Sequence, residues 1–126
     1  MTLTRLRASV VVQSSDPRRA VRRFKQILGN DPIGEFRIPG SDLKVTAFGE
    51  ISILSGPAES LATVRDLRAT VFVSSLEQVR ATLLETGWTT IGTLGSGPSL
   101  LARDPDGNLL EFVEQPAYDD PIRREK

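Results

Sequence analysis

Arg103-Asp104-Pro105-Asp106-Gly107-Asn108-Leu109-Leu110-Glu111 is the most specific local pattern in the sequence. A four-residue turn runs without a break into an apolar segment that ends on an acid. Proline presets the backbone at one turn position, and glycine accepts a positive φ at another. Residues 109–113 after the turn read as a short strand, and so do residues 99–102 before it. Working outward, Gly95-Ser96-Gly97-Pro98 reads as a further hairpin turn, with residues 89–94 as the strand before it. A helix precedes these strands. Ser75 with Gln78 forms a capping pattern, Leu76, Val79, Leu83 and Leu84 make the apolar stripe, and Gly87 stops the helix. Residues 67–73 form the strand that leads into it.

The same order recurs upstream. Residues 8–13 read as a strand, and Asp16-Pro17 opens a helix as cap and first helical residue. Ala20, Val21, Phe24, Ile27 and Leu28 form its stripe, and Gly29 ends it. Three short strands follow, at 35–38, 43–48 and 51–54, separated by Pro39-Gly40 and Gly49-Glu50. The spacing from Asp16 to Ser75 is 59 residues, and from Gly29 to Gly87 and from Gly49 to Gly107 it is 58. Caps and turns repeating at one period indicate a duplicated unit. The expected architecture is α+β: two βαβββ modules forming a curved mixed sheet with a concave cleft. Module 1 covers about 6–55, module 2 about 67–114, and residues 115–126 form a C-terminal tail, all within a single domain spanning 1–126.

This pattern resembles the vicinal oxygen chelate superfamily, which includes glyoxalases, bleomycin-resistance proteins and extradiol dioxygenases. The turn ending on Glu111 is the most specific part of the likeness, and the strand-Asp-helix-Gly run from Val10 to Gly29 is the second. The resemblance implies a divalent ion held by one residue from the first and last strand of each module. It places those positions at Ser9, Ile53 (or Ser52 if the strand slips by one), Arg68 and Glu111. Only Glu111 is of the right kind, so it is the metal ligand if there is any. A divalent ion wants several anionic or imidazole ligands. The expectation is therefore no cofactor, with a divalent metal as the alternative. The resemblance also implies pairing into homodimers, sometimes with exchange of modules.

Composition narrows the chemistry. The chain of 126 residues holds sixteen basic and sixteen acidic residues, no cysteine and no histidine. That excludes a disulfide, a thiolate nucleophile, a Ser-His pair and an imidazole ligand. Zero net charge gives no drive toward nucleic acid or a membrane surface. The chain shows no targeting segment and is expected to be cytoplasmic. The basic run Arg18, Arg19, Arg22, Arg23 and Lys25 reads as the solvated face of the first helix. Ser41-Asp42-Leu43-Lys44 matches Ser-x-x-Lys only by letters, and the 95–98 turn lacks the ending of a phosphate loop. Trp88 reads as pocket wall, core or dimer contact, and Tyr118 falls in the tail.

Sheet parity then selects the cleft. Residues two apart share a face, which places Ser9, Val11, Gln13, Ile53, Arg68, Thr70, Phe72, Glu111 and Val113 toward the hollow, with Val10 and Val12 beneath the first helix. Arg68 is expected beside Glu111, its guanidinium standing where relatives keep an ion. The expected function is metal-independent binding of a small organic molecule in an apolar cleft. One alternative is a metal-dependent lyase, isomerase or dioxygenase of the same superfamily, with a glyoxalase-like lyase or isomerase favoured over an iron dioxygenase and Glu111 as the catalytic candidate. Another is an interaction protein with a vestigial cleft.

Overall fold

A computed structural model describes residues 5–95 and 97–114; Ser96 and the tail 115–126, with Tyr118, lie outside the described residues. β1 (Arg5–Ser14) leads into α1 (Pro17–Leu28), then β2 (Gly34–Arg37), β3 (Lys44–Ala47) and β4 (Ile51–Ser55). A short helix, α2 (Ala58–Ala62), opens the second half. It is followed by β5 (Leu67–Val73), α3 (Leu76–Glu85), β6 (Thr89–Gly92), β7 (Ser99–Arg103) and β8 (Leu109–Glu114). The βαβββ order thus occurs twice. The eight strands form one open, curved mixed sheet in the order β2-β3-β4-β1-β5-β8-β7-β6. β1 and β4 run parallel, β5 and β8 run parallel, and an antiparallel β1–β5 pair joins the halves.

Local chemistry sets the helix ends. The Asp16 carboxylate accepts the Arg19 N–H at 3.3 Å, and Pro17 fills the first turn, where a missing N–H costs nothing. The Ser75 hydroxyl accepts the Gln78 N–H at 3.2 Å, and the Glu114 carboxylate takes the Leu76 N–H at 2.8 Å. α3 therefore starts with two of its orphan donors satisfied. Ser75→Ala should cost about 1 kcal/mol, read as a lower urea midpoint with an unchanged m value.

Both long helices lie on the convex face. Ala20 and Phe24 of α1 pack on Phe48 and Ile53, with the two phenyl centroids 6.2 Å apart. Val79 and Leu83 of α3 pack on Val73, Leu100, Ala102 and Phe112. Trp88 stands edge-on to Phe112 at 5.8 Å, which makes it part of this core. The stripes are shorter than their spacing suggests. Ile27 is 75% exposed and Leu84 79% exposed; on α3 the inward positions are Val79 and Leu83, and Leu84, one residue on, turns away from that face. Val10 is 55% exposed and not beneath α1 as expected. It pairs with Ala69 at the β1–β5 seam, a strip that neither helix covers.

The turn between β7 and β8 is held by its own first residue. The Asp104 carboxylate accepts the N–H groups of Asp106 and Asn108 and the Asn108 side-chain amide, at 2.8–3.0 Å. Those bonds, led by the Asn108 side chain, hold its carboxyl below the ordinary range. Beside it, Arg103 reaches the Gly107 carbonyl and, at 2.6 Å, the Asp66 carboxylate. That contact ties the segment before β5 to the β7–β8 turn.

Candidate functional site

The concave face is apolar at one end and carries a few polar groups at the other. Leu61 and Val64, from α2 and the turn after it, join Leu43, Leu54, Leu67, Leu101 and Leu109 in a buried cluster that fills the lower end of the hollow. Residues 56–66, which join the two halves, thus form part of the floor. Above it remains a cleft with about 660 Å³ of empty space, counting its open mouth. Its walls include Val11, Val45, Phe36, Phe72 and Val113, and its floor includes Ser52, Thr70 and Glu111.

The two outer hairpin turns meet across one end of the cleft. Ile38 and Pro39, between β2 and β3, pack on the turn between β6 and β7, which supplies Leu94, Gly97 and Pro98. The approach is so close at Gly95 that a Cβ there would lie 2.2 Å from the Pro39 carbonyl oxygen. The sequence shows the two turns separately and gives no sign of this clasp. The glycine and proline signals were visible, but nothing local says that residues 39 and 95 touch.

Of the residues expected in the cleft, Val11, Thr70, Phe72, Glu111 and Val113 line it. Ser9 lies just behind the floor, buried, and shares a 2.6 Å hydrogen bond with the Ser52 hydroxyl. Gln13 is on the same strand face but beyond the cleft. Its side-chain amide donates to the Val64 carbonyl, and it sits beside α2.

Two expectations are corrected. Ile53 points to the convex side, packing with Phe48 beneath α1, and Ser52 and Leu54 take the cleft positions. The pairing of Val11 with Ser52 and Val12 with Ile53 sets that parity. Arg68 is exposed and outside the cleft. The β5–β8 register shifts between Leu67 and Ala69, and this bulge turns Leu67 inward and Arg68 out to solvent. Its charge falls on Asp66 and makes no contribution at Glu111. The guanidinium near the cleft is instead that of Arg7. It stacks on the Phe72 ring at 3.9 Å from the centroid and also donates to the Gly49 carbonyl. Arg68→Ala should leave ligand binding in the cleft unchanged and move stability by no more than about 0.5 kcal/mol, as read by calorimetry and urea melts.

Thr70, not Arg68, is the β5 partner of Glu111. The residues face each other across the parallel pair, and the Thr70 hydroxyl donates to Glu111 Oε1 at 3.0 Å. Glu111 is 6% exposed. Burial among apolar walls pushes its carboxyl up to about 7, against the opposing pull of the Thr70 hydrogen bond. On the cleft face, β1, β4, β5 and β8 therefore contribute Ser9, Ser52, Thr70 and Glu111. Three of these four groups are hydroxyls, two of them bonded to each other and the third to the lone acid. One carboxylate with neutral hydroxyls does not fit a divalent ion. Among the described residues, no three acidic groups gather to hold a metal elsewhere. No helix among them is long and apolar enough to cross a membrane.

No family model and no curated protein matches the chain. Solved structures do. A methylmalonyl-CoA epimerase from Mycobacterium tuberculosis superposes with a TM-score of 0.68, covering 94% of this chain and 93% of its own at 18% identity. The chain has the vicinal oxygen chelate fold. A second vicinal oxygen chelate structure, a variant of the Streptomyces coelicolor epimerase in complex with 2-nitronate-propionyl-CoA, gives a TM-score of 0.61 at 14% identity. It covers 95% of this chain and 100% of its own. An uncharacterized protein from Methanosarcina mazei gives 0.73 at 23% identity, covering 92% and 95%. The two halves of the sheet meet at the antiparallel β1–β5 seam.

Proposed function

We propose that the protein binds a small organic molecule in its cleft without the help of a divalent ion. The observation that carries this is the make-up of the cleft. Its walls are aliphatic and aromatic, its hydroxyls are largely satisfied internally, and one carboxyl is left to orient a ligand. The Streptomyces epimerase structure, with its CoA derivative, supports the use of this fold to hold a small molecule. A true ligand at a hundred times its Kd should add about 2.7 kcal/mol of stability, seen as a concentration-dependent rise in Tm. EDTA should leave the melting curve in place. A stoichiometric divalent ion found by elemental analysis, with a Tm that drops on chelation, would overturn the metal-free reading.

A second reading has one specific observation behind it. A carboxyl that changes charge near 7 in an apolar cleft is placed to accept and return a proton. The corresponding activity is a lyase or isomerase working by proton transfer at Glu111. If so, Glu111→Gln should abolish turnover while binding persists. A variant that still turns over substrate removes this reading.

A further inference from the structure

We propose that the ligand is an organic cation, a primary or secondary amine on an apolar body whose ammonium group meets the Glu111 carboxylate. The proposal rests on the binding reading above and adds the chemical class. Among the described residues, Glu111 is the only one with an ionisable side chain that lines the cleft. The neighbouring hydroxyls are occupied: Ser9 with Ser52, Ser99 with Leu94, and Thr70 with Oε1 of Glu111 itself. The second carboxylate oxygen, Oε2, is given no partner among the described residues and belongs to a cleft-lining group. The strongest hydrogen-bonding capacity left open to a ligand is thus an acceptor that carries charge.

The surrounding charges do not supply that partner. On β7, Arg103 is held by Asp66; on β5, Arg68 faces solvent; on β1, Arg7 lies over Phe72; on β8, Glu114 is engaged at the start of α3. Only burial and the Thr70 hydroxyl act on the Glu111 proton. An amide at this position could keep the Thr70 hydrogen bond without the cost of ionising in an apolar place. A carboxyl kept there is repaid by a ligand that meets its charge. A cation does so by drawing the carboxyl into its ionised form, whereas a neutral head group leaves it protonated and gains no charge interaction, and above about pH 7 an anion is repelled. The walls favour the same choice. Phe72 already carries the Arg7 guanidinium, but Phe36 presents a second aromatic ring to the hollow, and ring faces attract ammonium groups.

The test uses three probes with one body: 2-phenylethylamine, 2-phenylethanol and 3-phenylpropionate, titrated calorimetrically into the full chain at pH 8. The amine should bind at least about tenfold tighter than the alcohol, and the carboxylate weakest of the three. Below pH 7 the amine's affinity should fall about tenfold per unit, because Glu111 must then give up its proton. That release appears as a binding heat that varies with the buffer's ionisation enthalpy. Glu111→Gln should erase the amine's advantage over the alcohol, whereas Arg68→Ala, whose side chain lies outside the cleft, should keep it. If wild-type protein binds amine and alcohol equally, or the carboxylate best, the cation inference is overturned and the binding reading stands. If none of the three enters, the binding reading fails with it.

Discussion

Raising the pH from 4.5 to 8 should cost the wild-type protein about 3 kcal/mol of stability that the Glu111→Gln variant keeps. The direction follows from which state holds the proton. Below 4.5 the Glu111 carboxyl is protonated in both the folded and the unfolded chain, so it contributes no difference. Between 4.5 and about 7 the unfolded chain releases the proton and the folded one retains it, so stability falls as pH rises. Each pH unit in that window costs about 1.4 kcal/mol. Above about 7 both states are ionised and the loss is complete. Glutamine keeps the shape and can still accept from Thr70, but has no proton to lose. At pH 8 the variant should melt roughly 10 °C above wild type, and near pH 4.5 the two should nearly coincide. Chemical denaturation at several pH values measures the difference directly. Parallel wild-type and variant profiles from pH 5 to 8 would show that Glu111 is not buried as described.

Gly95→Ala should destabilise the protein by about 4 kcal/mol. Two costs combine there. The backbone φ is +75°, a region an L-residue enters at a cost of about 1–2 kcal/mol. The new Cβ would also stand 2.2 Å from the Pro39 carbonyl oxygen and 2.8 Å from Ile38 Cγ2. Backbone cannot move aside as a flexible side chain can, so the two turns must part, at a further cost of about 2–3 kcal/mol. Gly29→Ala separates the terms. Its φ is also +75°, but nothing lies within 4 Å of the added carbon, so it bears only the conformational cost. Equal destabilisation of the two variants in urea would mean that the clasp contributes nothing. Parting the turns also opens one end of the cleft, so Gly95→Ala should bind apolar probes more weakly than Gly29→Ala.

The fold was legible because it is written in local signals, twice. Asp16 and Ser75 cap the helices they were expected to cap, and the Asp104 turn closes as its residue types require. The site was legible only as far as strand parity could be counted. Parity placed Thr70, Phe72, Glu111 and Val113 on the cleft face, since β8 is regular and β5 is regular beyond Ala69. It failed at Arg68 because a one-residue bulge reverses every face before it, and no residue type there announces a bulge. It failed at Ile53 because the strand Ile51-Ser52-Ile53-Leu54-Ser55 carries apolar residues on both faces, Ile51 and Ile53 on one and Leu54 on the other, so either face can be taken as the inner one. The clasp and the α2 floor were missed for a different reason. Both depend on residues far apart in the chain, and neither Pro39 with Gly95 nor Gln13 with Val64 leaves a trace in local periodicity.

The near-twofold arrangement of the sheet has a consequence for how a guest is read. With identical halves, the hollow would offer any visitor two equivalent poses, head toward one half or head toward the other. The position that carries Ser52 in one half carries Glu111 in the other. A single acid on one side of the seam removes that degeneracy. Under the proposed binding function, a molecule with distinct ends then has one preferred direction of entry, its ends sorted by the residue that the duplication did not keep the same.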